Sequence, residues 1–455
     1  MTSTAQSAQQ PVPAFAPYLS FALDWPAHRD RSCRSCLEVR VVSAAAPASV
    51  YRLPGFLPFL IARIVVVFAV QIQAVVVAWQ VYDLTRDPLS LAYVGLAQFI
   101  PMLLLLMPAG DLIDRYDRKL ILMLSWLVEG VCAGALLWLS LSGAPVAWYY
   151  AVLVLYGCGR AFTGPALSSL LPQIVPRERL AAAIAANSMI MRGATISGPV
   201  IGGGLYAIGG GGLTYSVCLA CFLAGCVLLQ RVPVLYAEKM QALESTAWAR
   251  FTAGIHFIRT RPIILGTISL DLFAVLLGGV VALLPIYAQE VLEVGPTGLG
   301  LLRSAMAIGE VSVGLYLSMK PFNRHVGLVM FGAVALFGLA NLVFALSSLF
   351  WLSFAALMVA GGADMVSMYI RSSLVQFSTP DAMRGRVNAV NMLFIGSSNE
   401  LGEFRAGTSA AWFGVVPAAL IGCACTLTVT GGWMLGFKSL RKVDRFEDAS
   451  PSKVA

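Results

Sequence analysis

The sequence predicts an all-α membrane protein, with twelve transmembrane helices in two six-helix bundles. Three observations predict it. Of 455 residues, 58% are hydrophobic and 12% charged, with a mean hydropathy of +0.79, whereas soluble domains carry about 25% charged residues. The apolar residues come in runs close to the roughly 20 that a helix needs to cross about 30 Å of hydrocarbon. The second half also repeats the first. At a shift of 204 residues Pro176 falls on Pro380, Asn187 on Asn391, Gly198 on Gly402, Gly203 on Gly407, Gly157 on Gly361 and Gly110 on Gly314. One shift serves three helix pairs and lays the seventh span over the first. Two parallel repeats of six helices form a transporter plan, with the substrate site near mid-membrane between them.

Residues 1–56, rich in Ala, Ser, Pro and Arg, show no sustained period and no apolar core of signal-peptide type. They are expected to be a disordered cytoplasmic tail or, alternatively, a stretch upstream of the true start. Cys33 and Cys36 form one C-x-x-C with His28 nearby, without the second ligand pair of a zinc site. No metal and no cofactor are expected. The other seven cysteines lie in apolar runs and read as small hydrophobes.

The N-terminal bundle covers 57–231, with spans near 57–82, 90–109, 119–141, 147–168, 184–208 and 214–231. A linker over 232–262 places Trp248, Phe251, Ile255 and Ile258 at helical spacing, an amphipathic helix suited to the inner membrane surface, with His256 solvated. The C-terminal bundle covers 263–440, with spans near 263–289, 298–320, 325–346, 350–377, 386–408 and 415–437. A second cytoplasmic tail takes 441–455.

The net charge of +8 does not indicate nucleic acid, because the basic residues fall in alternate connectors. Arg115, Arg118 and Lys119, then Arg250, Arg259 and Arg261, then Arg384 and Arg386 lie on one side; the opposite short loops hold Arg86. Lys/Arg-rich loops are cytoplasmic, so both termini are expected inside. The expected partners are the bilayer and a small-molecule substrate, for a monomer.

"MPAGDLIDRYDRKLIL", residues 107–122, sets Asp111, Asp114, Arg115, Asp117, Arg118 and Lys119 between two apolar rods. Its Gly110-x-Leu112-x-Asp114-Arg115-x-x-Arg118-Lys119 resembles the signature loop of the major facilitator superfamily, with Asp117 where that family usually has glycine. Gly198-Pro199-x-x-Gly202-Gly203 resembles the end of the superfamily's antiporter motif, and Arg160-x-x-x-Gly164 resembles a third motif, with Thr163 where glutamine is usual. "WQVYDLTRDPLSLAYVGLAQFIP" and "GGADMVSMYIRSSLVQFSTPDAMRGRVNAVNMLFIGSSN" extend the likeness to the efflux branch that holds enterobactin-exporter-like proteins and proton-driven drug exporters. The resemblance covers about residues 52–445. It implies the major facilitator fold in a bacterial inner membrane, and proton-driven export of a drug-like compound or siderophore by alternating access. An uptake permease and a non-transporting sensor are the alternatives. No Walker loop or nucleophile–base motif is present and none of the three histidines lies in the interior of a span, which argues against an enzyme.

A short charged loop can lock against facing helix ends by charge and dipole. Asp114 is placed to meet the start of the eleventh span, where Arg384 and Arg386 stand; basic residues alone would suffice for a membrane anchor. Gly198-Pro199 removes a backbone donor and permits close helix approach, for packing or for a kink.

Charges inside spans are costly and default to functional candidates facing a cavity. They are Glu129, Asp271, Glu310, Asp364, Glu400 and Glu403, against Arg160, Arg192, Arg303, Arg371 and Arg405. Asp271, Asp364 and Glu310 are the proton-coupling candidates, with a structural ion pair as the alternative role. Under the repeat shift Asp364 falls on Arg160, which suggests a pair across the central cavity. Asp364 and Arg371 share one helix face. Glu403 and Arg405 are expected near the outer interface. Gln71, Gln73 and Trp79 join Arg160 and Arg371 as cavity candidates, with helix packing as the other reading of the first three.

Overall fold

The structure, a computed structural model, describes residues 50–235 and 247–449. The Cys33–Cys36 motif, His28, the middle of the linker and the side chain of Asp114 lie outside the described residues. The helices are α1 (Phe56–Thr85), α2 (Pro88–Arg115), α3 (Arg118–Ser142), α4 (Val146–Ile174), α5 (Leu180–Gln230), α6 (Ala247–Thr260), α7 (Pro262–Gly278), α8 (Gly295–Met319), α9 (Val326–Leu346), α10 (Phe350–Ser378), α11 (Asp381–Phe413) and α12 (Val415–Gly436).

Among the described residues, nine helices are long and apolar enough to cross a membrane. One of them, α5, runs for 51 residues but breaks at Gly209 and Gly210; Gly210 has φ 60° and ψ −161°, a conformation essentially reserved for glycine. It is therefore two rods. The more polar α4 and α11, 29 and 33 residues long, carry interior charges and stand outside that set. Counting these two and both parts of α5, the described residues hold twelve long rods.

The charged loop shows how local chemistry sets these ends. At Asp117 φ is −62°, so no left-handed turn is needed there. Its carboxylate instead accepts from the backbone N–H groups of Lys119 (2.8 Å) and Leu120 (3.4 Å), capping α3. Lys119 Nζ donates to the carbonyls of Gln230 (2.9 Å) and Val232 (2.8 Å), a cation placed on the negative end of the sixth rod.

The seventh span is interrupted. It leaves α-helical form after Gly278 and continues through short turns to a π-helical end at Tyr287–Val291. Arg405 of α11 donates to the carbonyls of Leu276 (3.3 Å) and Gly279 (3.2 Å), satisfying acceptors beside the break. That is the work of a residue that the sequence reading left at the outer interface.

Packing divides the molecule by height. The N-terminal bundle has its own core around Phe59, Trp126, Tyr149, Tyr215 and Phe222. Near the Lys/Arg-rich loops, here the basic end, the C-terminal bundle packs around Met330, Phe331, Ile370 and Leu440. There Phe251, Ile255 and Ile258 of α6 pack with Val375, Val387 and Val390. The amphipathic helix thus spends its apolar face on the C-terminal bundle, while His256 is exposed. A further cluster draws on both bundles: Val75, Trp79, Tyr82 and Leu91 with Leu283, Leu302, Ala406 and Ala410.

The bundles meet along α5–α8 and α2–α11. A Cβ on Gly203 would lie 2.2 Å from the carbonyl oxygen of Pro296, and one on Gly407 would lie 3.0 Å from that of Pro88. The two glycines are 204 residues apart in the repeat and each touches the first turn of the opposing bundle's helix. Both contacts sit at the far end, away from the basic loops. Toward the basic end α5 and α11 turn apolar side chains outward, with Met189 75% and Met392 71% exposed. The two glycine contacts join the bundles at the far end.

Candidate functional site

Just beneath the shared cluster lies a cavity of about 120 Å³ between the bundles. Ala74 and Ala78 of α1 and Gly95 and Gln98 of α2 form its N-terminal wall with Arg160 of α4; Arg303 of α8 and Glu400 and Glu403 of α11 face them. Glu400 and Glu403 stand one helical turn apart and so project on one side of α11. A Cβ built on Gly95 would lie 3.6 Å from an oxygen of each. Among the described residues none of these four charges has an opposite charge within ion-pair distance. Arg303 Nε is buried without a hydrogen-bond partner.

A second polar cluster lies within the C-terminal bundle. Arg371 of α10 and Asp271 of α7 form an ion pair, their side chains 4% and 9% exposed. Asp364 shares a small cavity with Asp271, beside Ser367 and Phe337. Among the described residues no cation lies within ion-pair distance of Asp364. Glu310 of α8 accepts from Arg192 of α5 at 3.2 Å, linking the two bundles. In the N-terminal bundle Glu129, 1% exposed, accepts from Thr163 Oγ1 at 2.7 Å, while its other oxygen is buried and unpartnered.

Arg160 therefore lines the cavity between bundles, but Asp364 lines a different one, and Arg371 meets Asp271 rather than Asp364. Glu403 lines the cavity between the bundles, one helical turn from the far-end contact of Gly407 with Pro88. Arg303, Glu400 and Glu403 stood in the sequence as interior charges, and the i, i+3 spacing of the two glutamates was the available sign that they act together. Gln71 packs against Gly198, whose Cβ would lie 2.5 Å from that of Gln71. Gln73 is buried with neither amide atom hydrogen-bonded, and Trp79 sits in the shared apolar cluster. The carbonyl of Pro199 lies against Gly300 of α8, so Gly198-Pro199 sits on the seam between bundles. In the loop, Arg115 is exposed, Arg118 is buried, and Gly110 has no neighbour within 4 Å of a built Cβ.

A sequence profile described as transmembrane secretion effector matches residues 44–454. The chain belongs to this family of the major facilitator superfamily. It is similar to the enterobactin exporter EntS of Shigella dysenteriae serotype 1 (strain Sd197), 26% identical over 80% of this chain and 89% of that one. The likeness to EntS of Citrobacter koseri is again 26%, over 81% and 91%. Among solved structures it shares its fold with a bacterial homologue of the human lysosomal transporter Spinster in an inward-facing, occupied conformation (TM-score 0.62, 16% identity, 85% of this chain and 95% of that one). It also shares it with a bacterial homologue of the iron transporter ferroportin in an inward-facing state (TM-score 0.64, 17% identity, 83% and 98%). The secretion-effector chain is thus an integral membrane transporter for small-molecule substrates, and not an enzyme.

Proposed function

We propose that this transporter is a proton-coupled exporter of the bacterial inner membrane, with both termini cytoplasmic, moving a drug-like compound or a siderophore outward by alternating access. One observation carries the reading: a cavity lined by charges from both bundles lies directly under an apolar cluster that both bundles share. The Lys/Arg bias makes the basic end cytoplasmic, and the EntS relatives support export.

Substrate reaches Arg160 from the basic end, between α5 and α11. Rocking of the bundles separates Gly203 from Pro296 and Gly407 from Pro88, opening the cavity outward while α5 and α11 close at the basic end. The charged loop from Gly110 to Lys119 then acts as the gate, Asp114 meeting the start of α11 near Arg384 and Arg386. For coupling, Asp364 is the carrier: ionised, it competes with Asp271 for Arg371; protonated, it leaves that pair intact. Protonating Glu310 releases Arg192 and with it the link between bundles. A proton bound from outside and released inside thereby biases the rocking in the direction of export.

The test is purified protein in vesicles, scoring uphill transport of a labelled compound with and without a pH gradient, alongside downhill exchange. Asp364→Asn abolishes gradient-driven transport and retains exchange. Accumulation in the opposite direction sinks export in favour of an uptake permease. Reporter fusions after Arg118 and Arg384 read as inside, and near Gly210 and Pro296 as outside; an inverted pattern overturns the orientation.

A further inference from the structure

Arg160, Arg303, Glu400 and Glu403, each half-buried, converge on one cavity, and among the described residues no ion pair joins them. The orphaned Nε of Arg303 adds a donor with nothing to donate to. Gly95 leaves these carboxylates uncovered: a Cβ there would lie 3.6 Å from one oxygen of Glu400 and one of Glu403. With no side chain on α2 in the way, both stay open to an ammonium seated in the cavity itself. A ligand of one sign would satisfy half of the lining and strand the rest. A ligand carrying both signs satisfies all of it.

Size narrows the class. About 120 Å³ is room for roughly four waters, enough for a compact ammonium–carboxylate group and far too little for a whole drug or siderophore. The remainder of a substrate would lie outside the cavity, toward the basic end. We infer that this cavity is the subsite for a zwitterionic headgroup of the α-amino-acid type, its carboxylate held by Arg160 and Arg303 and its ammonium by Glu400 and Glu403. The inference rests on the reading of the cavity as the substrate site and names the chemistry it selects.

The experiment compares three probes of matched side chain on the purified full-length protein: leucine, 4-methylpentanoate and 3-methylbutylamine. Leucine should raise the melting temperature by about 2 °C or more, and the two single-charge probes by much less. Gly95→Ala keeps all four charges and places a methyl in ordinary contact with both glutamates. It should fold as the parent does and lose the leucine shift. An equal shift with the amine or the carboxylate alone overturns the inference in favour of a cation or anion site. No shift with any probe, or a leucine shift that survives Gly95→Ala, overturns it in favour of a water-bridged structural network. Binding needs no pH gradient, so the two readings fail separately. Leucine binding without proton-driven transport refutes coupling alone, and gradient-driven export of a compound with no zwitterionic group refutes this subsite alone.

Discussion

At the far end Val75, Trp79 and Tyr82 of α1 pack in one cluster with Leu283, Leu302 and Ala406 across the bundle boundary. Near the basic end the C-terminal bundle closes over its own core and α6, and Met189 and Met392 are exposed. The charges divide in a related way. Asp271 and Arg371 both belong to the C-terminal bundle, so their separation survives any rigid rocking. Arg192 and Glu310, or Arg160 and Glu403, come from opposite bundles, and rocking changes their distance. Interactions inside one bundle should therefore set stability, and interactions across the seam should set which end is open.

Four substitutions probe that division. Asp271→Asn has the largest expected effect: it strands a buried arginine, at a cost of about 3–5 kcal/mol, read as a sharp fall in melting temperature and expression. Replacing the pair together, Asp271→Leu with Arg371→Met, should recover most of that loss. An Asp271→Asn protein that melts normally and loses only gradient-driven transport would return Asp271 to the coupling role.

Gly203→Val comes next. Its Cβ would enter the space held by the Pro296 carbonyl, overpacking the seam by about 1–3 kcal/mol in the present conformation alone. Thiol labelling of Met189→Cys, at an exposed position of α5, should then slow severalfold with little change in melting temperature. Unchanged labelling would mean that the seam tolerates separation without reorienting the bundles.

Lys119→Met removes two hydrogen bonds to the end of the sixth rod. A loss of about 1 kcal/mol is expected in the stability of the N-terminal bundle, without a shift in Met189→Cys labelling. A labelling shift would move Lys119 from anchor to gate. Glu310→Gln should have the smallest thermodynamic effect, about 0.2–1 kcal/mol for a partly exposed pair. It should appear as altered Met189→Cys labelling rather than altered melting; a stability loss as large as that of Asp271→Asn would erase the distinction between the two kinds of pair.

The repeat was readable because glycines mark places where backbones must touch. Gly203 and Gly407, matched by the 204-residue shift, turn out to hold equivalent seams. The loop chemistry was readable in part: the density of charge showed that something is fixed there, but not that Asp117 caps α3 or that Lys119 caps the sixth rod. The cavity was less accessible. The interior charges were all visible as costly, yet the repeat shift paired Asp364 with Arg160, and the structure puts them in separate cavities.

Sequence by itself determined what hydrophobicity and spacing control: twelve rods, two repeats and a basic end, since each follows from a residue's own free energy in hydrocarbon or water. Tertiary structure decided which charges meet. Glu403 and Arg405 are two positions apart, about 200° around a helix, so one enters the central cavity and the other reaches the break in the seventh span. The face that each presents depends on how α11 is rotated against α2 and α7. That rotation is set by packing among distant segments rather than by α11 alone.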